Sequence, residues 1–267
     1  MDALRDQIGL MTTPHTFVVP AYGENPFLRS CLLSLKSQTL PSRILVTTST
    51  PCAHIIDAAG EMGIGVAVNP ARRGIGADWN FALAQAGTRY VTLAHQDDEY
   101  LPGFLATTLA MFARHTSATM TFTGFQQIND NGTPQSSRVS RVKDLLLGAF
   151  AGRRESIAGF RGRLMLSFGN PISCSAVSFD RDKLGGLRFS ETLASNLDWQ
   201  AWLSLIERGD RLAYCPDRLV RRRYNAQTET SRLIKDGRRR AEDQMMFDQL
   251  WPKPVSRLLG RAYTASY

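Results

Sequence analysis

Several residue patterns that commonly identify a protein's class are missing from this sequence. Its four cysteines are scattered without CxxC spacing, so we predict neither a zinc site nor a disulfide framework and expect a reducing compartment. No run approaches about 18 consecutive apolar residues, so no transmembrane helix is predicted. Residues 1–14 carry acids and lack an apolar block, unlike a secretory signal. GxSxG and HExxH motifs are absent and the four histidines are isolated, which argues against a serine hydrolase or a zinc protease.

What the sequence contains is a regular alternation of β-rich and helical segments. It has 267 residues, 43% of them apolar, enough for one large α/β domain or a core domain with an appendage. The alternation predicts βαβ units and a mostly parallel sheet. The β-rich segments are 16–19, 44–48, 65–68 and 90–94, and the helical segments between them are 27–38, 53–62 and 78–86. Beyond them we predict helices at 104–114, 142–150, 156–166, 197–208 and 238–250, strands at 119–127, 173–179, 212–215 and 218–224, and a turn at 129–132.

A cluster of carboxylates follows the fourth predicted strand. The segment HQDDEYLP at 95–102 places Asp97 and Asp98 directly after the apolar residues 90–94. Open α/β sheets bind ligands at the carboxyl ends of their strands. Paired carboxylates there commonly hold a divalent metal and, through it, phosphates. A polar strand-to-helix turn explains the same residues, because aspartate is a good turn and cap residue, and the pattern alone leaves both interpretations open.

Three further segments carry candidate functional residues. Tyr22 follows the first predicted strand, where its ring could face a nucleobase or pack within a turn. The segment RRGIGADWN at 72–80 has two arginines before glycines and a helix start, a pattern that suits a diphosphate but equally a solvated loop. Asp198 lies in the first turn of a predicted helix that Asn196 can cap. There it either stabilises the helix dipole or acts as a general base against an acceptor.

Positive charge is concentrated near the end of the chain. The net charge is +8, and residues 221–240 contain eight basic and two acidic residues, which gives +6 for this stretch. Such a stretch suits an anionic partner, for example a diphosphate or an anionic lipid surface, although a solvated helix face is the commoner explanation. Nucleic-acid binding is not predicted, because the basic residues do not alternate with aromatic ones and no recognition motif is present.

The order of these motifs resembles the inverting family-two glycosyltransferases of the GT-A fold. The resemblance runs from about residue 16 to about residue 230 and is most specific in HQDDEYLPG at 95–103 and LDWQAWL at 197–203. RYNAQT at 223–228 looks like the family's Arg-x-His segment. The resemblance implies an α/β, Rossmann-like GT-A fold with a mostly parallel central sheet and flanking helices. We accordingly predict a glycosyltransferase domain at 1–230, with a donor-binding half at about 14–115 and an acceptor-side half at about 116–230, and a helical, basic C-terminal extension at 231–267.

The resemblance also implies a nucleotide-sugar donor, a divalent metal (Mn or Mg) and roles for individual residues. Asp98 would hold the metal, and Asp97 would contribute to both the metal and the ribose. Asp198 would be the catalytic base that deprotonates an acceptor hydroxyl for in-line attack on the anomeric carbon. Trp199 and Asn170 would lie on the acceptor side. The residues expected to bind the donor are Pro20, Tyr22, Glu24, Arg73 and Asp97.

The sequence departs from the family pattern at three positions. The second predicted strand ends in TTST at 47–50, where the family usually has an acid that reads the base. His95 stands at the first position of the usual Asp-x-Asp, and Asn225 replaces the histidine of the Arg-x-His segment. An imidazole can ligate Mn, and His95 can equally be structural, so both roles stay open.

We therefore predict a metal-dependent, inverting glycosyltransferase that acts in the assembly of a cell-surface polysaccharide or glycolipid. The expected donor is a UDP- or dTDP-sugar, and the expected acceptor is a glycan or a lipid-linked molecule. We expect a cytoplasmic location, with peripheral contact at the inner membrane face through residues 221–240 as an option. The alternative, motivated by His95 and the missing acid at 47–50, is a GT-A-like protein that binds a nucleotide or glycan with little or no turnover.

Overall fold

The structure, a computed structural model, describes residues 13–71, 74–136, 138–151, 155–224, 233 and 236–265, without the side chains of residues 138 and 139. The strands in this part are β1 (His15–Ala21), β2 (Arg43–Thr48), β3 (Gly65–Val68), β4 (Tyr90–Leu93), β5 (Glu99–Tyr100), β6 (Ala118–Ile128), β7 (Pro134–Gln135), β8 (Ser156–Ile157), β9 (Val177–Asp180) and β10 (Arg211–Arg223). The helices are α1 (Leu28–Lys36), α2 (Ala53–Gly60), α3 (Ile75–Gln85), α4 (Phe104–Arg114), α5 (Arg138–Phe150), α6 (Gly159–Leu166), α7 (Leu197–Arg208), α8 (Arg238–Leu250) and α9 (Lys253–Thr264).

The strands form one mixed sheet in the order β3-β2-β1-β4-β9-β6-β10-β5. The parallel pairs are β1 with β2 and β4, β2 with β3, and β6 with β10. Strand β9 runs antiparallel to both β4 and β6 and so joins the two parallel groups. The short strands β5 and β8 pair antiparallel with β10, and β7 with β6. The loop after β4 therefore lies near the end of β10, although about 120 residues separate them in sequence.

Alternation along the central strands divides the core between the two faces of the sheet. On β1, Phe17 and Val19 pack in one hydrophobic cluster, whereas Val18 between them packs in the other. This is the period-two pattern of a strand buried on both faces. Helix α7 contributes Trp199 and Trp202, both fully buried, to the same cluster as Val18. The hydrophobic run of each strand therefore fixes which loops reach the carboxyl edge of the sheet.

Most of the predicted elements are confirmed, and β3, α4, α7 and α8 have the predicted bounds. The helix predicted at 156–166 begins as β8 and becomes helical only at Gly159. The two strands predicted at 212–215 and 218–224 form the single strand β10, which continues through register shifts between Cys215 and Val220. The strand predicted at 173–179 begins at Val177, after a 3₁₀ turn. Pro254 lies in the first turn of α9, where a proline costs the helix no hydrogen bond.

The C-terminal helices share the main core. The ring of Trp199 on α7 lies 5.2 Å from that of Phe247 on α8 and 6.0 Å from that of Tyr263 on α9. Gly169 has φ +129°, and a Cβ at this position would lie 2.6 Å from the Tyr263 ring, so the close approach requires glycine. The helical character predicted for 231–267 is seen in α8 and α9, and the boundary at 230 stays a prediction. Within the described residues, no helix has the length and apolar character needed to cross a bilayer.

Candidate active site

The loop at 95–98 joins β4 to β5 at the carboxyl edge of the sheet. The Asp98 N–H donates to the His95 carbonyl at 3.2 Å, which closes a tight turn. The buried Tyr100 hydroxyl accepts the His95 N–H at 3.2 Å and donates to the Ser175 carbonyl at 2.8 Å. The turn that carries both carboxylates is therefore fixed to β5 and to the 3₁₀ turn before β9.

Arg223, at the end of β10, holds this loop from the other side. Its backbone N–H donates to Asp98 Oδ1 at 2.8 Å, and its Nε donates to the Asp97 carbonyl at 3.1 Å. Its Nη2 pairs with Glu99 at 2.7 Å, and its Nη1 donates to the carbonyls of residues 129 and 130. The guanidinium also lies 4.0 Å from the centre of the Phe27 ring. Only 4% of Arg223 is exposed, so this is a buried and well satisfied arginine.

His95, Asp97 and Asp98 have the arrangement of a divalent cation site. One ligand atom from each residue lies within 4.8 Å of the others. The Nε2 atom of His95 is buried and has no hydrogen-bond partner among the described residues. A buried polar atom without a partner is costly, and a metal ion would satisfy it. The residues present therefore fit a metal bound by one imidazole and two carboxylates.

The protonation states of this cluster follow from burial. Burial, followed by the positive charge of Arg222, lowers the pKa of His95 to about 3, so its imidazole is neutral and keeps a lone pair for a metal. Burial and then the charge of Asp97 raise the pKa of Asp98 to about 7. Burial also raises the pKa of Asp97, against the charges of Arg222 and Arg223. Two neighbouring carboxylates with raised pKa values favour a cation between them.

The end of β1 lies beside this loop. Tyr22 is 66% exposed, and its backbone N–H and carbonyl bond to the side chain of Gln96 at 3.1 and 3.3 Å. Pro20 lies within β1, in register with Thr47 of β2, and Glu24 is exposed in the loop that follows β1. The structure thus brings Tyr22 next to the acidic loop, which was expected of a donor-binding residue. The roles of Pro20, Tyr22 and Glu24 stay predictions.

Asp78 places a carboxylate at the ends of β2 and β3, although neither strand ends in an acidic residue. Its Oδ2 accepts from the Ser49 hydroxyl at 2.8 Å, and its Oδ1 accepts from the Asn69 amide at 2.8 Å. Asp78 lies in the first turn of α3, which approaches residues 190–191 so closely that a Cβ at Gly76 would lie 2.0 Å from the Ser190 carbonyl oxygen. Sequence reasoning missed this residue because its partners are at the ends of two other elements.

Asp198, in the first turn of α7, is in contact with Asn170. Asp198 Oδ2 accepts from the Asn170 amide at 3.0 Å, and Oδ1 accepts from the Trp199 N–H at 2.7 Å. Burial raises the pKa of Asp198, against the charges of Arg239 and Lys143. Asn170, which was predicted on the acceptor side, is therefore in contact with Asp198, and its role towards an acceptor stays a prediction.

Trp199 packs in the core. Its side chain is fully buried, and its indole N–H donates to the Leu166 carbonyl at 3.0 Å. Its ring contacts those of Phe247 and Tyr263, inside the core that α7 shares with α8 and α9. The place of Trp199 on the acceptor side stays a prediction, and the full burial of its ring does not support it.

Helix α8 fixes the start of α7. The Glu242 carboxylate accepts the backbone N–H groups of residues 194, 195 and 196 at 2.7 to 2.9 Å and the Ser195 hydroxyl at 2.8 Å. Asp243, fully buried, accepts from the Asn196 amide at 2.8 Å and pairs with Arg239 at 3.3 Å. The predicted capping role of Asn196 is not observed, since its side chain points to α8 and makes no cap hydrogen bond.

Some of the predicted features lie outside the described residues, namely Arg72, Arg73 and residues 225–232. The basic stretch 221–240 is not one exposed patch in the part that is described. Arg223 is buried, Arg222 is half-buried and Arg239 pairs with Asp243. The peripheral membrane contact through this stretch is therefore not supported by its described residues.

Two cations near the carboxylates were not singled out from the sequence. Arg222 acts electrostatically on Asp97, Asp98 and Asp198, and Lys143 on α5 acts on Asp198. Arg222 was visible only as one member of a basic run, and Lys143 was one charged residue on a predicted helix. A helical-wheel reading could have found Lys143, because it shares a face with the buried Leu147.

Comparison with known proteins identifies the family. The model described as "Glycosyl transferase family 2" matches residues 16–183, more than half of the chain. The chain belongs to glycosyl transferase family 2. The predicted family is therefore confirmed, and no curated protein matches the chain.

Solved structures of glycosyltransferases have the same GT-A fold. The mannosyltransferase PcManGT from Pyrobaculum calidifontis, in complex with GDP-Man and Mn²⁺, has a TM-score of 0.66 and 17% identity, covering 96% of this chain and 70% of that one. S. aureus TarS 1–349 in complex with UDP-GlcNAc has a TM-score of 0.64 and 16% identity, covering 88% and 65%. Glucosyl-3-phosphoglycerate synthase from Mycobacterium tuberculosis, with Mn²⁺, UDP and phosphoglyceric acid, has a TM-score of 0.53 and 16% identity, covering 79% and 71%. The chain spans 64% of the TarS 1–349 chain solved without a named ligand. At these identities the likeness shows the fold, which confirms the predicted fold class.

Proposed function

We propose that the protein transfers a sugar from a nucleotide-sugar donor to an acceptor hydroxyl, with inversion at the anomeric carbon and with a divalent metal. The observation that carries the proposal is the cluster of His95, Asp97 and Asp98 at the carboxyl edge of the sheet, in which one ligand atom from each residue lies within 4.8 Å of the others. Membership of glycosyl transferase family 2 supports the reaction class. The complexes of PcManGT with GDP-Man and of TarS with UDP-GlcNAc support a nucleotide-sugar donor.

His95, Asp97 and Asp98 would hold the metal, which we propose to be Mn or Mg. When bound, such a cation stabilises negative charge on the departing diphosphate as a Lewis acid. An imidazole ligand favours Mn over Mg, because Mg is bound almost entirely through oxygen atoms. Arg223 would keep the two carboxylates in place through its bonds to the loop at 97–99.

Asp198 would act as the catalytic base. The Trp199 N–H and the Asn170 amide orient its carboxylate, and its raised pKa makes it a stronger proton acceptor than a solvated aspartate. It would take the proton of the acceptor hydroxyl while that oxygen bonds to the anomeric carbon. The bond from this carbon to the diphosphate oxygen breaks on the opposite face, which inverts the configuration.

We propose that Asp78 takes part in recognition of the base, in place of the acid missing from the end of β2. Its carboxylate already accepts from Ser49 and Asn69, and it retains lone pairs for the imide N–H of a uracil or thymine ring. A UDP- or dTDP-sugar is therefore our proposed donor. Asp78→Asn should weaken binding of UDP or dTDP by roughly tenfold, because a carboxylate acceptor becomes an amide. The exposed Asp57→Asn variant is the control, and equal affinities in the two variants would reject this role.

The acceptor is proposed to be a glycan or a lipid-linked molecule, used in the assembly of a cell-surface polysaccharide or glycolipid in the cytoplasm. Any contact with the inner membrane face is separate from the chemistry. Flotation with vesicles that contain anionic lipid tests this contact, and absence of binding would remove it from the proposal.

The test of the catalytic assignment compares Asp198→Asn with the exposed Asp182→Asn. Release of nucleotide from a panel of nucleotide-sugars is measured with and without Mn²⁺, since this readout needs no knowledge of the acceptor. Loss of a general base typically costs 10²- to 10⁴-fold in rate, so we expect a loss in this range in Asp198→Asn, with nucleotide binding retained. Full turnover in that variant would refute the base assignment. A wild-type protein that binds nucleotides with metal but turns over no donor would favour the binding-protein alternative.

A further inference from the structure

Lys143 faces inward from α5. It is half-buried and lies one turn before Leu147, which is 3% exposed and packs in the main core. Residues four apart lie on the same face of a helix. The neighbouring Asp144 accepts from Arg218 of β10 at 2.7 Å, which fixes α5 against the sheet. Lys143 thus lies on the face of α5 that packs towards the main core.

Arg222 lies on β10 between two arginines that have partners. Arg221 pairs with Glu99 at 3.6 Å, and Arg223 is buried against the acidic loop. The Arg222 guanidinium lies 6.0 Å from the centre of the Phe125 ring. Within the described part of the chain, the side chains of Arg222 and Lys143 make no hydrogen bond and no ion pair.

These two half-buried cations are poorly compensated. Burial, followed by the charges of Arg222 and Arg239, lowers the pKa of Lys143 to about 7, against the opposing charges of Asp198 and Asp243. Desolvating a cation without pairing it is unfavourable, and an arriving anion would relieve that cost. The surroundings of these two side chains therefore suit an anion better than a neutral group.

Lys143 and Arg222 both interact electrostatically with Asp198. The acids whose charges act on Lys143 are Asp198 and Asp243. The charge of Arg222 acts on Asp198 and also on Asp97 and Asp98. The charge of Asp198 is therefore shared by both cations.

We propose that Lys143, assisted by Arg222, binds a phosphate or carboxylate group of the acceptor, beside the hydroxyl that Asp198 would deprotonate. The inference rests on the proposed function for the identity of the acceptor side. It narrows the acceptor to an anionic molecule, such as a phosphorylated sugar, a phosphorylated lipid carrier or a sugar acid. The two cations offset the repulsion between the anion and the Asp198 carboxylate.

The test titrates inorganic phosphate into the protein by calorimetry, with and without saturating Mg²⁺ and a nucleotide chosen from UDP, dTDP and GDP. Lys143→Met should weaken phosphate binding at least tenfold and change nucleotide affinity less than twofold. Lys143→Arg should retain phosphate binding, because it keeps the charge. Arg141→Met, which removes an exposed cation from the same helix, is the matched control. Thermal unfolding of each variant checks that it is folded.

Three outcomes would overturn the inference. The first is phosphate binding that is absent from the wild-type protein or equal in Lys143→Met. The second is a parallel loss of nucleotide affinity in Lys143→Met, which would assign the cations to the donor diphosphate. The third is mutually exclusive binding of phosphate and nucleotide. If no nucleotide binds with any metal, the proposed function fails, but the titration without nucleotide still reports whether Lys143 holds an anion.

Discussion

The acidic loop after β4 and the carboxylate at the start of α7 are held in different ways. The loop at 95–98 is fixed by strands of the sheet, through Tyr100 of β5 and Arg223 of β10. Asp198 depends instead on a helix that follows it in the chain, because Glu242 and Asp243 of α8 bind the residues before α7. The proposed donor side is therefore held by the sheet, whereas the proposed acceptor side is completed by the C-terminal helices.

The largest expected loss of stability concerns the acidic loop at 95–98, which the sheet holds in place. Arg223→Met would remove four side-chain hydrogen bonds from a buried arginine and leave Glu99 without its closest partner. Breaking a buried ion pair costs about 3–5 kcal/mol, and we expect a loss of that size in the free energy of unfolding, measured in urea. Arg221→Met removes the more exposed partner of the same Glu99 and should cost at most about 1 kcal/mol. Similar losses in the two variants would show that the acidic loop does not depend on Arg223.

A smaller loss of stability is expected at the start of α7, which α8 holds in place. Glu242→Gln keeps the shape of the side chain but removes the charge that receives three backbone N–H groups at the start of α7. Hydrogen bonds to charged groups contribute about 1.5–3 kcal/mol, so a loss within this range is expected by urea unfolding. Glu207→Gln, which removes a single exposed pair with Arg163, is the control and should change stability by less than about 1 kcal/mol. If the sheet and helix sites are independent, the effects of Glu242→Gln and Arg223→Met should add.

Low pH should weaken the contact between α8 and the start of α7, because Glu242 becomes protonated. Burial alone would raise the pKa of Glu242, but its hydrogen bonds from residues 194–196 outweigh burial and lower it below 4.5. A group with a depressed folded-state pKa contributes stability above its unfolded pKa, and this contribution is lost as the pH falls through the folded value. Unfolding measured from pH 6 to pH 3 should therefore show a shallower decline in Glu242→Gln than in the wild type. An unchanged slope would contradict the assignment.

The smallest effect expected concerns Lys143 and lies at higher pH, although stability again rises with pH. Its folded-state pKa is lowered from 10.5 to about 7, so the native state binds fewer protons than the unfolded chain between these values. The cost of this lysine is full below about pH 7 and disappears as the pH rises towards 10.5. Lys143→Met should therefore stabilise the protein more at pH 6 than at pH 10, by thermal unfolding. Arg141→Met should show no such difference, and a pH-independent effect of Lys143→Met would place its ammonium in solvent.

The elements that could be predicted from the sequence are those whose structure is determined by local patterns. The bounds of β3 and α7 follow from short apolar runs and helical spacing next to glycines, and the acidic loop follows directly after β4. Asp198 could be located because it lies in the first turn of a strongly apolar helix. Its neighbour Trp199 was predicted on the acceptor side, but a sequence pattern cannot distinguish a ring at a pocket mouth from one that packs against α8 and α9, as the Trp199 ring does.

Contacts between distant segments could not be predicted. Asp78 binds the ends of β2 and β3, and Asp243 meets Asn196 across 47 residues. Such partners depend on how whole elements pack and leave no periodic signal in the chain. Predicting two strands in place of β10 has a related cause. A bulge interrupts the sequence pattern, while the hydrogen-bonded ladder continues past it.

The Tyr263 ring against Gly169 has a consequence for the order in which the protein is made. Domains form as their segments leave the ribosome, from the N-terminus onward. The strands that hold the acidic loop are all synthesised by residue 223, whereas the turn that carries Asn170 reaches its final packing only once α9 has been added. A chain that ended between β10 and α9 would therefore lack the Tyr263 ring that packs on Gly169, next to Asn170.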